Sequence, residues 1–183
     1  MNNRKIAVIG AGPCGLPACK ALAERGLAYE CLEASESIGG IWNIEHGGGG
    51  YRSLQTNTSP RAMSYSDFPI EHNTPTYPTA AEMLGYFKGY AEHFNLVENI
   101  RFRSTVVQAL PLADGGWELE LENGDLRQYA SVIVATGQYN TPRLPHSFTP
   151  GEFTGTHLHI CDYLDLATPI DLRGKRVVVV GLG

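Results

Sequence analysis

The chain has 183 residues, 43% of them hydrophobic and 18% charged, and its 19 acidic and 14 basic side chains leave a net charge of −5. That length suits one full core or two partial ones. The mild acidity has no long run of either sign, which argues against a nucleic-acid or anionic-membrane partner.

The N-terminal residues lead into an apolar stretch, Ile6 to Ile9, too short for a signal-peptide core or a membrane span, so the chain reads as cytoplasmic. Taken from Arg4 to Ile9, the same run reads as a buried parallel strand ending at Gly10. Leu16, Cys19, Leu22 and Ala23 recur at helical spacing and predict a helix over Pro13 to Arg25, stopped by Gly26. Ala28 to Glu33 is a second strand, completing a βαβ unit. Residues 35–78 are rich in Gly, Ser, Asn, Thr and Pro and read as a long loop of the kind that usually carries function. Thr79-Ala80-Ala81-Glu82 fits a capping box, and Met83, Leu84, Phe87, Tyr90, Ala91 and Phe94 extend a helix to about Asn95. Ile100 to Leu110, Trp117 to Glu122 and Leu126 to Thr136, separated by turn-forming Asp114-Gly115-Gly116 and Glu122-Asn123-Gly124-Asp125, predict an antiparallel meander. A proline-bearing connector spans Tyr139 to Pro150, and Lys175 to Val180 is another buried-strand run ending at Gly181.

Gly10-Ala11-Gly12-Pro13-Cys14-Gly15 is G-x-G-x-x-G between a strand and a helix. Its first glycine permits a tight turn, its second lets the backbone approach a pyrophosphate, and its third lets helix and strand pack closely. The helix N-terminus beyond it favours negative charge. Glu33, at the end of the next strand, is placed to accept hydrogen bonds from a ribose diol and would repel a 2′-phosphate, so the nucleotide is FAD or NAD and not NADP. Arg4 to Gly12 and Lys175 to Gly183 match position for position, so a second strand delivers a second G-x-G and opens a second Rossmann unit. Two nucleotide units suggest electron transfer between a flavin and a nicotinamide. Ala135-Thr136-Gly137 fits passage of the chain close to a cofactor. The four cysteines, Cys14, Cys19, Cys31 and Cys161, form no C-x-x-C pair and have no histidine at metal spacing, so structural thiols are expected and no metal site.

Phe153-x-Gly155-x-x-x-His159-x-x-x-Tyr163 is similar to the identifying F-x-G-x-x-x-H-x-x-x-(Y/F) stretch of flavin-containing monooxygenases, at the right distance before Gly181. Gly39-Gly40-Ile41-Trp42 resembles the segment after that family's FAD acid, and Tyr51 to Pro69 resembles its flavin-side loop. The resemblance implies an α/β fold: a Rossmann-like FAD-binding domain (parallel sheet, helices, antiparallel meander) over 1–145, then a linker and the start of an NADPH-binding unit over 146–183. It implies that NADPH reduces FAD, that O₂ adds at flavin C4a, and that the hydroperoxide passes one oxygen to a small-molecule soft nucleophile, nitrogen or sulfur. The family's active-site asparagine falls on Asn57, whose amide can donate and accept; without the resemblance Asn57 would read as an Asx-turn residue. FAD contacts fall on Gly10, Gly12, Pro13, Cys14, Gly15, Glu33, Ala34, Gly40, Ile41, Trp42, Thr58, Thr136 and Gly137, with Val106 packing the adenine, and NADPH contacts on Gly181 and Gly183. His159 reads as a structural residue near the domain junction.

Two related chemistries share the scaffold. A Baeyer–Villiger oxygenase normally carries Trp where Tyr163 stands, and a flavin-dependent disulfide reductase needs a cysteine pair where Ile41-Trp42 stands. A non-catalytic FAD-binding fragment is the third reading, because a parallel strand at Val177 to Val180 needs a helix and neighbours that do not follow it. For such a fragment we expect at most weak FAD binding, no NADPH turnover, a frayed or re-paired C-terminal strand, and association through exposed apolar surface, a homodimer included.

Overall fold

The computed structural model describes residues 4–46, 49–71, 73–138, 141–143 and 153–181. In chain order its main elements are β1 (Ile6–Ile9), α1 (Gly15–Glu24), β2 (Tyr29–Leu32), the single turn α2 (Pro60–Met63), α3 (Ala80–His93), β3 (Ile100–Arg101), β4 (Val106–Leu112), β5 (Gly116–Leu121), β6 (Leu126–Tyr129) and β7 (Ser131–Val134). β3, β2, β1 and β7 form a parallel sheet in that order, and β4, β5 and β6 an antiparallel meander.

Successive strand residues face opposite sides of a sheet, and here each side meets a different layer. Val8 and Cys31 join Leu16, Cys19 and Leu22 of α1 and Met83, Phe87, Tyr90 and Ala91 of α3 in one core. Ala7 and Leu32 join Leu119, Leu121 and Tyr129 of the meander in another. The parallel sheet is therefore covered on both faces, as such sheets require. Glu30, on the meander side, is tied down by Arg127 at 3.1 Å and by the Tyr129 hydroxyl, which burial and that carboxylate keep protonated. α3 begins as expected: the Thr79 hydroxyl accepts the Glu82 N–H, and the Glu82 carboxylate accepts the Thr79 N–H at 2.7 Å.

Four expectations need correction. The run from Ile100 to Leu110 is two strands in two sheets, broken where Arg103 takes φ 51° and the Arg103 and Ser104 N–H groups donate to Ser35 and Glu33. Leu126 to Thr136 divides likewise: β6 stays in the meander, the Ala130 N–H donates to Lys5, and β7 pairs with β1. One straight strand cannot pair edge to edge within two sheets stacked face to face, so each run must break to serve both. The first helix starts at Gly15 and not Pro13, which lies ahead of the Cys14 N-cap. Lys175 to Val180 is not a buried strand: it pairs with no described strand, and Val178 is 85% exposed. The long loop also contains short helical turns, Gly40–Trp42, Ile44–His46 and α2, that its weak periodicity did not announce. Among the described residues no helix is long and apolar enough to cross a membrane.

Candidate functional site

The carboxyl ends of β1, β2 and β7 converge. Gly10 leaves β1 at φ 101° and donates its N–H to Leu32 at 2.8 Å, while the Ala135 N–H donates to Ile9 at 2.9 Å. A methyl group on Gly10 would lie 2.6 Å from the Ala135 carbonyl, and one on Gly15 would lie 1.8 Å from the Gly10 carbonyl. The protein's own packing therefore demands glycine at both positions. Gly12 differs, because a methyl there would meet nothing closer than the Gly40 Cα at 3.4 Å, an ordinary contact. Packing among the described residues leaves room for a methyl at Gly12, and a closely approaching pyrophosphate would account for a glycine there.

Beyond Gly12 the first turn of α1 carries no acidic side chain, so its Gly15 N–H and positive dipole end meet no anion of the helix's own. Glu33 is 8% exposed, and its carboxylate spans the strand ends: Oε2 accepts the Ala11 N–H at 2.7 Å and Oε1 the Ser35 N–H at 2.8 Å. Each oxygen keeps a second lone pair. Two free acceptors beside an anion-seeking helix end suit a ribose diol followed by a pyrophosphate. The residues present thus fit the adenosine diphosphate half of FAD.

Gly39 and Gly40 close over this turn. The Gly39 N–H donates to Ala11 at 3.1 Å, and their φ values of 125° and 54° are glycine conformations. Ile41 and Trp42 continue from there in a helical turn, half-buried, with Trp42 packed on the α1/α3 core. Thr136 and Gly137 follow Ala135 and are exposed, Thr136 lying beside Gly10. Ala34 and Cys14 are exposed and Pro13 half-buried, while Val106 is half-buried opposite Leu121 in the meander core.

Asn57 and Thr58 are not brought into contact with the glycine turn. They sit on an exposed bend anchored by buried Thr56, whose N–H donates to Pro78 at 2.9 Å and whose hydroxyl donates to Thr58 at 2.8 Å. Gly181 is exposed at φ 129° with no described helix after it, and Gly183 lies outside the described residues. No nicotinamide site is assembled among the described residues. His159 is structural, its Nδ1 accepting the Cys161 N–H at 3.2 Å to cap the turn Ile160–Asp162. The Phe153 ring lies over Gly155 so closely that a methyl there would be 2.3 Å from Cζ, and it stacks on His157. Tyr163 packs on Tyr51, and Arg52 meets Asp165 at 2.7 Å, so this stretch docks on the loop leading to Asn57.

Two contributors were invisible to sequence reasoning. Arg103 pairs with Glu36, three residues past Glu33, and its guanidinium holds that carboxyl below the usual carboxylate range. No sequence signal marks a positive-φ arginine. Tyr65, from the loop after Asn57, donates its hydroxyl to the Pro13 carbonyl within the glycine motif.

The flavin-binding monooxygenase-like family matches residues 3–183. Flavin-containing monooxygenase 5 of Rattus norvegicus is 36% identical over 197 residues, covering 100% of this chain and 36% of the relative. Dimethylaniline monooxygenase [N-oxide-forming] 4 of Rattus norvegicus is 37% identical over 194 residues, covering 98% of this chain and 34% of the relative. Among solved structures, OTEMO in complex with FAD and NADP superposes with a TM-score of 0.70 at 25% identity, over 78% of this chain and 27% of that one. The chain thus spans about a third of the length of the curated relatives it matches.

Proposed function

The chain belongs to the flavin-binding monooxygenase-like family, and from that premise we propose that it is the FAD-holding part of an NADPH- and O₂-dependent monooxygenase acting on a soft nitrogen or sulfur nucleophile. FAD and NADPH are the cofactors of this reading, and a bound flavin reduced by NADPH supplies the oxygen-activating chemistry. Gly12 would let the backbone approach the FAD pyrophosphate, the Cys14 and Gly15 N–H groups at the start of α1 would hold it, and the Glu33 carboxylate would accept the adenosine ribose hydroxyls. The same carboxylate repels a 2′-phosphate, which keeps NADPH out of this first site. Asn57 would offer an amide donor and acceptor to the flavin, and Thr58 and Gly40 to Trp42 would help to hold it. Tyr163 at the end of the Phe153 stretch favours nitrogen or sulfur oxygenation over ester-forming oxygenation of ketones. The NADPH contacts, Gly181 and Gly183, belong to a second unit from residue 146 onward, in which Val177 to Val180 is uncovered.

The observation that carries this reading is a glycine at position 12 that the protein itself does not require, between a free helix end and a two-acceptor carboxylate. The test is a titration of the purified chain with FAD, NAD and NADP, followed by flavin fluorescence or nucleotide displacement. FAD should bind most tightly and the protein should be yellow when loaded, with no NADPH oxidation by these 183 residues alone. NADP binding as tight as FAD binding, or rapid NADPH oxidation, would overturn it.

A further inference from the structure

The first turn of α1 lacks one of its own hydrogen bonds. In a helix each carbonyl accepts the N–H four residues on, and the Leu16 and Ala18 N–H groups do reach Gly12 at 3.1 Å and Cys14 at 3.4 Å. The carbonyl between them, on Pro13, faces Pro17, which has no N–H. The Tyr65 hydroxyl fills that gap from 52 residues away by donating to the Pro13 oxygen. Tyr65 is itself fixed. Its N–H donates to the Tyr86 Oη at 2.7 Å, Tyr86 donates to Phe68 at 2.6 Å, and the Tyr65 ring centroid lies 4.5 Å from that of Tyr90. The same segment is fastened to α1 by Asp67 and Lys20 at 2.5 Å.

Peptide planarity gives this bond a reach beyond the carbonyl. The Pro13 C=O and the Cys14 N–H belong to one rigid unit and point in opposite directions. A carbonyl held toward the helix body turns the Cys14 N–H outward, to where an anion at the helix N-terminus would lie.

We propose that Tyr65 is a positioning residue for the FAD pyrophosphate, its hydroxyl replacing the N–H that Pro17 cannot supply and so aiming the Cys14 N–H at the phosphate oxygens. This rests on the FAD reading above. Burial pushes the Tyr65 phenol well above its ordinary pKa, so it stays a donor at every working pH. The link also connects the pyrophosphate turn to the loop that carries Asn57 and Thr58.

The test is a cycle of Tyr65→Phe, Pro17→Ala and the double variant, with FAD and ADP affinities and melting temperatures measured on the full chain. Tyr65→Phe should weaken both nucleotides about tenfold by leaving the carbonyl unpaired. Pro17→Ala alone should stay within about twofold of wild type, because the carbonyl has two lone pairs. In the double variant the backbone N–H regained at position 17 should return both affinities to within about twofold of wild type, a rescue that a merely structural tyrosine would not give. Tyr65→Phe affinities unchanged within twofold, or a double variant as weak as Tyr65→Phe, would overturn the proposal. A wild-type chain binding neither nucleotide would sink the FAD reading and the positioning role with it. The melting cycle still decides whether Tyr65 replaces the Pro17 donor: a loss on Tyr65→Phe that vanishes beside Pro17→Ala supports it, and equal losses in both backgrounds refute it.

Discussion

Glu33→Gln is the most informative single perturbation, because it keeps size and shape while removing charge and one acceptor. In the native chain the carboxylate receives two backbone N–H groups, from Ala11 at 2.7 Å and Ser35 at 2.8 Å, in a setting only 8% exposed. Hydrogen bonds to a charged acceptor contribute roughly 1.5–3 kcal/mol each, about twice a neutral bond. Glutamine can accept from only one of the two N–H groups and turns its NH₂ on the other. One bond is lost and the other is weakened to a neutral one, about 2–4 kcal/mol together. For a chain of this size each kcal/mol shifts the melting temperature by about 2–4 °C, so a fall of roughly 5–15 °C is expected by calorimetry or circular dichroism. FAD affinity should fall at least about tenfold, since the ribose loses an acceptor as well. A melting temperature within about 1 °C of wild type would refute the strap between strand ends. An FAD affinity unchanged within about twofold would refute the ribose role separately.

The motif glycines should separate. Gly15→Ala puts a methyl 1.8 Å from a backbone oxygen and should abolish the cooperative melt, whereas Gly12→Ala should melt like wild type and lose FAD; a normal melt for Gly15→Ala would contradict the packing argument. Thr79→Ala removes the α3 cap and should cost about 1 kcal/mol in a denaturation curve. The Thr79 N–H and hydroxyl hold the Glu82 carboxyl below its ordinary pKa. The stability it adds is therefore full above the unfolded value of about 4.3 and is lost as pH falls through the lower folded value. Glu82→Gln should flatten that part of the acid melting profile, and an unchanged acid profile would refute the box. Val178→Asp with Val179→Lys should reduce self-association in sedimentation velocity, and unchanged association would clear Val177 to Val180 of driving it.

What the sequence disclosed is what short stretches decide alone. β1, α1 and β2 follow from two periodicities and a glycine turn, and the α3 start follows from four residues, Thr79 to Glu82. Which sheet a strand joins is not local. β3 leaves the meander because Ser35 and Glu33 take the Arg103 and Ser104 N–H groups, and β7 leaves it because Lys5 takes that of Ala130, partners about 70 to 125 residues distant along the chain. Val177 to Val180 shows the converse, a strand pattern that pairs with no described strand. At the site, Gly10, Gly12, Gly15 and Glu33 were legible as a motif, while the contact between Tyr65 and Pro13 was not. Only its cause was written there, as two prolines four residues apart.

Three glycines that look equivalent in the motif have separate physical origins. Gly10 is fixed by a positive φ and by the Ala135 carbonyl across the sheet, and Gly15 by the Gly10 carbonyl it packs upon. Both would be needed in a protein of this fold that bound nothing. Gly12 meets no such demand, and neither the uncompensated end of α1 nor the spare lone pairs of Glu33 serve the fold. The features that folding leaves unexplained lie at one place, the mouth of the β1–α1 turn, and all three are answered by a ribose joined to a pyrophosphate. That convergence, and not the motif as a string, is why the turn reads as a binding site.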